Sequence, residues 1–152
     1  MEPTSTDVLP PISQPSSGEI SRVGVPVNTA PRILMAEDNI INQKVAKLIL
    51  QRAGFQIDLV ADGNEAVEAH RAHPYDVILM DCQMPALDGF EACHQIRLMQ
   101  HRQPVIIAVT ANALVGERER CLRAGMDDYL SKPFQAEQLV VIVQKWIAQR
   151  RA

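Results

Sequence analysis

Three short segments of this chain are apolar at every position, and this feature restricts the possible folds more than any other. They are Ile33–Ala36 and residues 77–80 and 105–109. A strand with one face in water alternates apolar and polar residues, so these segments predict strands that are buried on both faces. Helices on both sides of a parallel sheet provide that burial. Residues 56–60 and Asp128–Ser131 are weaker strand candidates, expected nearer the sheet edges.

Stretches with helical periodicity separate the strands. The first has an apolar stripe at spacings i, i+4, i+7, i+8 and i+12, typical of a helix facing a core: Ile41, Val45, Leu48, Ile49 and Ala53. Further helices are predicted over residues 64–72, 88–100 and 112–124. Gly54 and Gly125 end the first and the fourth of these helices. The last helix has its predicted buried stripe at Ala136, Leu139, Val140, Val143 and Ile147.

Strands and helices therefore alternate five times, with connections of a few residues. Right-handed crossovers then predict a single doubly wound α/β domain of (βα)5 type. In such a sheet all strands end at the same edge, and ligands bind there near the point where the strand order reverses.

The first thirty residues differ from this pattern. Residues 1–31 contain six of the ten prolines and no aromatic residue, and Ser and Thr fill much of the rest. Dense proline removes backbone donors and blocks helices, and the segment has too little apolar surface to offset the entropy of ordering. We therefore predict a Pro/Ser-rich disordered linker over residues 1–30, followed by one domain over residues 31–150.

Composition excludes several classes of protein. Lys and Arg total 15 against 18 Asp and Glu, a net charge of −3, which argues against a nucleic-acid-binding surface. No apolar run is long enough to cross a membrane, and the first residues lack a signal-peptide pattern. Cys82, Cys93 and Cys121 include no CxxC pair, which indicates reduced thiols in a cytosolic compartment and argues against a structural zinc site.

Polar residues follow four of the five predicted strands. Glu37 and Asp38 follow the first, Asp81 the third, Thr110 the fourth and Lys132 the fifth. Taken alone, each would be interpreted as a helix cap or a surface charge. Because parallel strands end at one edge, we expect the five side chains to converge there.

Phosphoryl transfer is the chemistry that uses such a set. Clustered carboxylates repel one another, and a divalent cation such as Mg²⁺, which prefers oxygen ligands, relieves that repulsion. An accessible carboxylate can attack phosphorus and become an acyl phosphate. A lysine and a hydroxyl can then stabilise the charge of the transferring group.

Residues 32–149 resemble the receiver domain of two-component response regulators. The matching segments share the order and spacing of that family: residues 33–39, residues 81–85 with Asp88 and Gly89, Thr110-Ala111, and Lys132-Pro133-Phe134. The resemblance implies a flavodoxin-like fold with strand order 2-1-3-4-5. Residues 39–43 and 80–85 look most like receivers that are attached to hybrid sensor histidine kinases.

The resemblance also implies roles at the strand ends. Asp81 corresponds to the phosphoacceptor. Glu37 and Asp38 correspond to the Mg²⁺-binding acids, with Asp38 the more direct ligand and Glu37 acting through water. Asp81 itself and the backbone carbonyl of Gln83 complete the protein ligands. Lys132 corresponds to the lysine that pairs with the phosphoacceptor.

Further roles follow from the same resemblance. Thr110 corresponds to the switch hydroxyl and Tyr129 to the switch aromatic residue. Gln83 and Asn112 stand where the family tunes hydrolysis of the phosphate. The bond before Pro133 is expected to be cis.

A phosphorelay receiver is therefore the predicted function. It would accept a phosphoryl group from a histidine in a Mg²⁺-dependent reaction and catalyse only its own phosphorylation and dephosphorylation. The implied partners are a histidine kinase or a histidine phosphotransfer domain, with an effector protein on the face made by residues 112–145. Neither nucleic acid nor membrane contact is expected. The location is expected to be cytoplasmic, as part of a hybrid kinase whose parent chain is anchored in the inner membrane, or as a single-domain regulator.

Three alternatives use a similar fold. A phosphorylation-independent interaction module would not need the complete acidic, Thr and Lys set. A phosphatase with an Asp nucleophile would need a second Asp where Gln83 stands. A flavin-binding module would need a phosphate-binding loop after the first strand, where Glu37 and Asp38 would repel a phosphate.

Overall fold

The computed structural model describes residues 30–111 and 114–151. Residues 1–29 of the predicted linker and Asn112 lie outside the described residues. The elements in chain order are β1 (Ile33–Ala36), α1 (Ile40–Arg52), β2 (Ile57–Val60), α2 (Gly63–Ala72), β3 (Val77–Asp81), α3 (Gly89–Arg97), β4 (Val105–Thr110), α4 (Glu117–Arg123), β5 (Asp128–Ser131) and α5 (Ala136–Arg151). Within the described part of the chain, no helix has both the length and the apolar character needed to span a membrane.

The five strands form one parallel sheet in the order β2-β1-β3-β4-β5, which confirms the predicted fold. Ala36 of β1 pairs with Val60 on one side and Met80 on the other, and Asp81 of β3 pairs with Val109. The chain leaves β1 toward one edge to form β2 and then crosses to the other side to form β3. The strand order therefore reverses beside the ends of β1 and β3, where the predicted acidic residues lie.

Alternate residues of the fully apolar strands pack into two separate cores. Leu34 and Ala36 contribute to a core on one face of the sheet that includes buried residues of α2, α3 and α4. Ile33 and Met35 contribute to the core on the other face, which includes buried residues of α1 and α5. Apart from Asp81 and Thr110 at their ends, the inner strands β1, β3 and β4 are apolar, because both of their faces contact helices.

Three helices begin after a polar side chain that caps them. Asn39, Asp62 and Asp88 each accept hydrogen bonds from backbone N–H groups of the first turn of α1, α2 and α3, respectively. These groups have no partner within the helix, so a side-chain acceptor stabilises the first turn. Asp88 is therefore the cap that precedes α3, whereas the sequence predicted it as the first helical residue.

The predicted core-facing stripe of α1 was wrong. Ile41, Val45 and Leu48 are 66%, 47% and 51% exposed. The buried residues of α1 lie on the opposite side of the helix: Gln43, Ala46 and Leu50. Helix α1 is thus apolar on two sides, and the polar Gln43 lies on the buried side because its side chain binds backbone carbonyls there.

Two helices are shorter than predicted. Helix α3 ends at Arg97 and not near residue 100, and α4 begins at Glu117 and not at residue 112. Gly116 has a φ of 91°, a left-handed conformation that interrupts any helix entering from before it. In α5, Leu139, Val143 and Ile147 are buried as predicted, but Ala136 in the first turn is exposed.

Candidate functional site

Three carboxylates meet at the ends of β1 and β3. Glu37 and Asp38 directly follow β1, and Asp81 is the last residue of β3. One carboxylate oxygen from each lies within 4.8 Å of the other two. Glu37 and Asp81 are buried, whereas Asp38 is exposed. The strand order therefore produces the predicted acidic cluster, which we call the acidic pocket.

Lys132 reaches this pocket from the end of β5. Its Nζ donates to Glu37 Oε1 at 2.7 Å and to Asp81 Oδ2 at 3.2 Å. Its backbone N–H donates to the carbonyl of Thr110 at 2.8 Å, which joins the ends of β4 and β5. The peptide bond from Lys132 to Pro133 is cis. One ammonium group thus bridges two carboxylates that are delivered by different strands.

Burial and hydrogen bonding act against each other in the pocket. Burial, together with the negative charge of Glu37, raises the pKa of Asp81 despite the opposing effects of the Gln83 N–H and of Lys132. Burial also acts to raise the pKa of Glu37, but hydrogen bonds from Lys132 and the Asn39 N–H outweigh it, so that pKa is lowered. Burial acts to lower the pKa of Lys132, yet its bonds to the two carboxylates raise it overall. Lys132 therefore stays charged, paired most firmly with Glu37.

The loop after β3 holds the second oxygen of Asp81. The backbone N–H of Gln83 donates to Asp81 Oδ1 at 3.0 Å. Gly89, at the start of α3, packs so closely that a Cβ there would collide with the carbonyl oxygen of Asp81 and crowd the Cα of Cys82. Its N–H donates to the carbonyl of Cys82 at 3.3 Å. The Asp88-Gly89 pair of the sequence motif therefore both caps α3 and lets that helix approach the phosphoacceptor candidate.

Thr110 lies on β4, the strand beside β3, and Tyr129 lies on β5, the strand beyond it. Thr110, fully buried, ends β4 one residue beyond Val109, the residue that pairs with Asp81. Tyr129 is partly buried on β5 and packs against the core that β3 shares with α4. These positions agree with the switch roles that the resemblance implies, and the roles themselves stay predictions.

Gln43 and Asn39 support the pocket, and the sequence did not identify either as a site residue. Gln43 Nε2 donates to the carbonyls of Glu37 at 2.6 Å and Val60 at 3.3 Å. The backbone N–H of Asn39 donates to Glu37 Oε2 at 3.0 Å. The spacing of Gln43 with Ala46 and Leu50 could have identified Gln43, because it places this polar side chain on the same helix face as two apolar residues.

The donor set of the acidic pocket fits a hard divalent cation. All three side chains offer carboxylate oxygens, the ligand type that Mg²⁺ prefers. Three carboxylates and one ammonium leave a formal charge of −2, which a divalent cation balances. Asp38 is exposed and lies at the entrance, so a cation that keeps several waters can approach it directly.

Comparison with known families assigns the fold to one of them. The family model described as the response regulator receiver domain matches residues 33–144. Hybrid signal transduction histidine kinase B of Dictyostelium discoideum is 38% identical over 122 residues, which are 72% of this chain and 6% of that protein. The chain therefore spans only a small part of the length of such a curated relative.

Solved structures agree with this comparison. The receiver domain of sensor histidine kinase PA1611 from Pseudomonas aeruginosa, crystallised with a magnesium ion coordinated in its active-site cleft, is 49% identical. The TM-score is 0.73 over 79% of this chain and 99% of that one. The Saccharomyces cerevisiae receiver domain of Ssk1, in co-crystals with the histidine phosphotransfer protein Ypd1, is 30% identical with a TM-score of 0.70, over 78% of this chain and 91% of that one.

Proposed function

The chain belongs to the response regulator receiver domain family, whose members act in two-component phosphorelays, and on this basis we propose that Asp81 is its phosphoacceptor. One observation carries the proposal: Asp81 ends the central strand, is held by the Gln83 N–H and Lys132, and lies beside Glu37 and Asp38. A carboxylate oxygen of Asp81 bonds to phosphorus while the P–N bond to the donor histidine breaks and its electron pair returns to the imidazole.

Mg²⁺ is the cofactor that we propose for the acidic pocket, as in the Pseudomonas receiver. Asp38, Asp81 and the backbone carbonyl of Gln83 would hold it directly. Glu37 would act through water, because its two oxygens already accept hydrogen bonds from Lys132 and from the Asn39 N–H. The bound cation would offset the negative charge shared by the carboxylates and the incoming phosphoryl group.

Lys132, Thr110 and Tyr129 are the residues that we propose to respond to phosphorylation. The ammonium of Lys132, 3.2 Å from Asp81 Oδ2, is placed to neutralise charge on the phosphoryl group. The Thr110 hydroxyl would bind a phosphoryl oxygen, and Tyr129 would turn inward as Thr110 moves. This change would alter the face made by residues 112–145, to which we assign an effector protein. Gln83 and Asn112 would tune the lifetime of the phosphate.

We propose that the protein that donates the phosphoryl group docks on a different surface from the effector protein. A histidine that reaches Asp81 must be presented over the edge of the sheet, where α1 begins. The exposed apolar stripe of Ile41, Val45 and Leu48 runs from that edge along α1. A groove of about 440 Å³ beside Val45 is lined by Lys132 and by Phe134, among others. Exposed apolar patches of this kind mark protein-binding surfaces, so we assign this stripe to a histidine kinase or histidine phosphotransfer protein.

We make a separate proposal about the larger protein to which this domain belongs. Because the matched relatives include hybrid histidine kinases much longer than this chain, we assign the domain to such a kinase, with residues 1–30 as the linker before the receiver. A cytoplasmic location and an inner-membrane anchor of the parent belong to this proposal. The phosphorylation-independent interaction module is the alternative, and nothing in the pocket favours it.

The decisive experiment is Mg²⁺-dependent labelling with acetyl phosphate, followed by mapping of the modified residue. Asp81→Asn should abolish labelling while the circular dichroism spectrum stays unchanged. Asp88→Asn is the matched control, because it changes a nearby carboxylate and asparagine caps a helix equally well. Asp38→Ala should remove Mg²⁺ binding. Labelling that persists in Asp81→Asn would place the acceptor elsewhere, and the absence of labelling in the unchanged protein would favour the interaction module.

A further inference from the structure

A second cluster of ligating side chains lies behind the acidic pocket. Cys82 directly follows β3, whereas Glu117 and Cys121 lie one turn apart on α4. Their exposed fractions are 2%, 6% and 0%, respectively. One ligand atom from each lies within 4.8 Å of the other two. We call these three side chains the α4 cluster.

The spacing of the two thiols in the α4 cluster matches that of ligands to one metal ion. The Sγ atoms of Cys82 and Cys121 are 4.0 Å apart. Two thiolates bound tetrahedrally to Zn²⁺, at the usual Zn–S distance of about 2.3 Å, are about 3.8 Å apart. The two sulfur atoms therefore need to move by only a few tenths of an ångström. Sulfur ligands select zinc and similar soft cations over Mg²⁺, so this site would not compete with the acidic pocket.

Glu117 gives a second reason to expect a cation here. Its carboxylate is buried, and the nearest positive group among the described residues is Arg120 Nη1 at 3.8 Å. The side chain of Arg120 is 58% exposed, so it compensates the buried charge weakly. Buried carboxylates are normally paired closely or coordinate a metal. Besides Arg120, the carboxylate of Glu117 has the thiols of Cys82 and Cys121 close to it.

We propose that the α4 cluster binds one thiophilic divalent cation of the zinc class, which ties the end of β3 to the first turns of α4. Two S–metal bonds and one O–metal bond form, and each thiol releases its proton to solvent. The cluster carries a formal charge of −1 before binding, from Glu117, and −1 afterwards, from three anionic ligands and one divalent cation. Binding therefore adds no net charge to the buried site, and the fourth coordination position is left for water.

Helix α4 provides the route of entry. It contains only seven residues and follows Gly116, which offers no side-chain cap, while the neighbouring Val115 is fully exposed. A short helix without a cap opens more readily than the longer elements around it. Because Cys82 directly follows Asp81, the bound cation would restrain α4 relative to the phosphoacceptor. That consequence rests on the proposed function, whereas cation binding does not.

Titration with Co²⁺ tests the proposal, because cobalt bound to thiolates gives a charge-transfer absorption that carboxylate ligands do not give. The reduced protein is titrated with excess Mg²⁺ present to fill the acidic pocket. We expect a saturable band at one Co²⁺ per chain, lost in Cys82→Ser and in Cys121→Ser. Cys93→Ser is the matched control, because Cys93 is an equally buried thiol of the same core whose Sγ donates to Ala124 instead.

Glu117→Gln keeps the test decisive if the serine variants do not fold. This nearly isosteric change should weaken Co²⁺ binding at least tenfold and reduce the rise in melting temperature caused by Zn²⁺. The proposal is overturned if the unchanged protein gives no thiolate band, if the Cys93→Ser variant loses it, or if Glu117→Gln binds as tightly as the unchanged protein. Acetyl phosphate labelling of the same samples tests the phosphoacceptor proposal independently of the cation site. Normal labelling without a cobalt band would reject this site and leave the phosphoacceptor assignment intact.

Discussion

His70 shows how one buried side chain links the stability of this domain to pH. It is fully buried on α2, and its Nδ1 accepts a hydrogen bond from the Tyr75 N–H at 3.0 Å. The proton of the neutral ring therefore lies on Nε2, which has no hydrogen-bond partner among the described residues. Burial, followed by the charges of His101, Arg150 and Arg97, lowers the pKa of His70 to about 4.

We predict that this histidine makes the domain sensitive to acid. In the unfolded chain His70 takes up a proton near its ordinary pKa of about 6.5, but the folded domain resists protonation until about pH 4. The unfolded state therefore binds more protons between these values, and stability falls as the pH drops through that window. Urea unfolding should show a loss of about 2 kcal/mol from this residue between pH 7.5 and pH 5.0.

The variant His70→Gln isolates this contribution, because glutamine does not titrate in this range. It should be less stable than the unchanged protein at pH 7.5 and should lose less stability on going to pH 5.0. His94→Gln, at an exposed position on α3, is the control and should retain the wild-type pH dependence. Equal pH dependence in all three proteins would show that His70 does not govern the acid response.

At the scale of elements, α3 approaches the end of β3 closely at Asp81, the residue that we propose as the phosphoacceptor. We predict that Gly89→Ala lowers the free energy of unfolding by about 1–3 kcal/mol, since the new Cβ meets backbone atoms of Asp81 and Cys82 that cannot yield as a side chain would. Labelling of Asp81 by acetyl phosphate should also slow, because the strand end has to shift.

The variant Gly54→Ala distinguishes a general loss of stability from slower labelling of Asp81. Gly54 has a φ of 94° with open space around its Cα, so alanine there costs about 1 kcal/mol through backbone strain alone. It lies at the far end of α1 from the acidic pocket, and labelling should stay at the wild-type rate. If acetyl phosphate labels Asp81 as fast in Gly89→Ala as in Gly54→Ala, the contact between α3 and β3 does not position Asp81.

The exposed apolar stripe of α1 allows a prediction about how the donor protein binds. Leu48→Glu should slow phosphoryl transfer from a phosphorylated histidine phosphotransfer protein roughly ten- to a hundredfold, the effect of losing about 1.5–3 kcal/mol of apolar burial. Labelling by acetyl phosphate should not change, because a small donor needs no docking surface. Gln51→Glu adds the same charge to the same exposed helix without removing an apolar side chain, and it should transfer normally. Equal slowing in both variants would indicate a charge effect and not an apolar interface.

At the scale of the whole molecule, the described residues form two cores that cover the sheet on both faces. We predict that a shortened chain beginning at Thr29 has the same melting temperature as the full chain. The proline-rich segment contains too little apolar surface to add stability. Thermal unfolding followed by circular dichroism measures this directly. A midpoint several degrees lower in the shortened chain would show that the segment packs on the domain.

Local pattern was sufficient to predict the architecture and the location of the site. Runs without a polar residue predicted strands that are covered on both faces, because a strand with one face in water would alternate apolar and polar residues. Once parallel strands were predicted, Glu37, Asp38, Asp81 and Lys132 had to lie at one edge of the sheet, since each follows a strand. The roles of these residues came from the resemblance to the receiver family.

Contacts between residues distant in sequence were decided only by the tertiary structure. Periodicity showed that α1 has an apolar stripe but not which side of the helix faces the sheet. The buried side contains Gln43, whose side chain donates to the carbonyls of Glu37, directly after β1, and of Val60 in β2. Cys82 and Cys121 lie 39 residues apart, so their spacing argued against a metal site that their packing now suggests. Periodicity reports the environment of a single element, whereas the partner of each side chain depends on how the elements pack together.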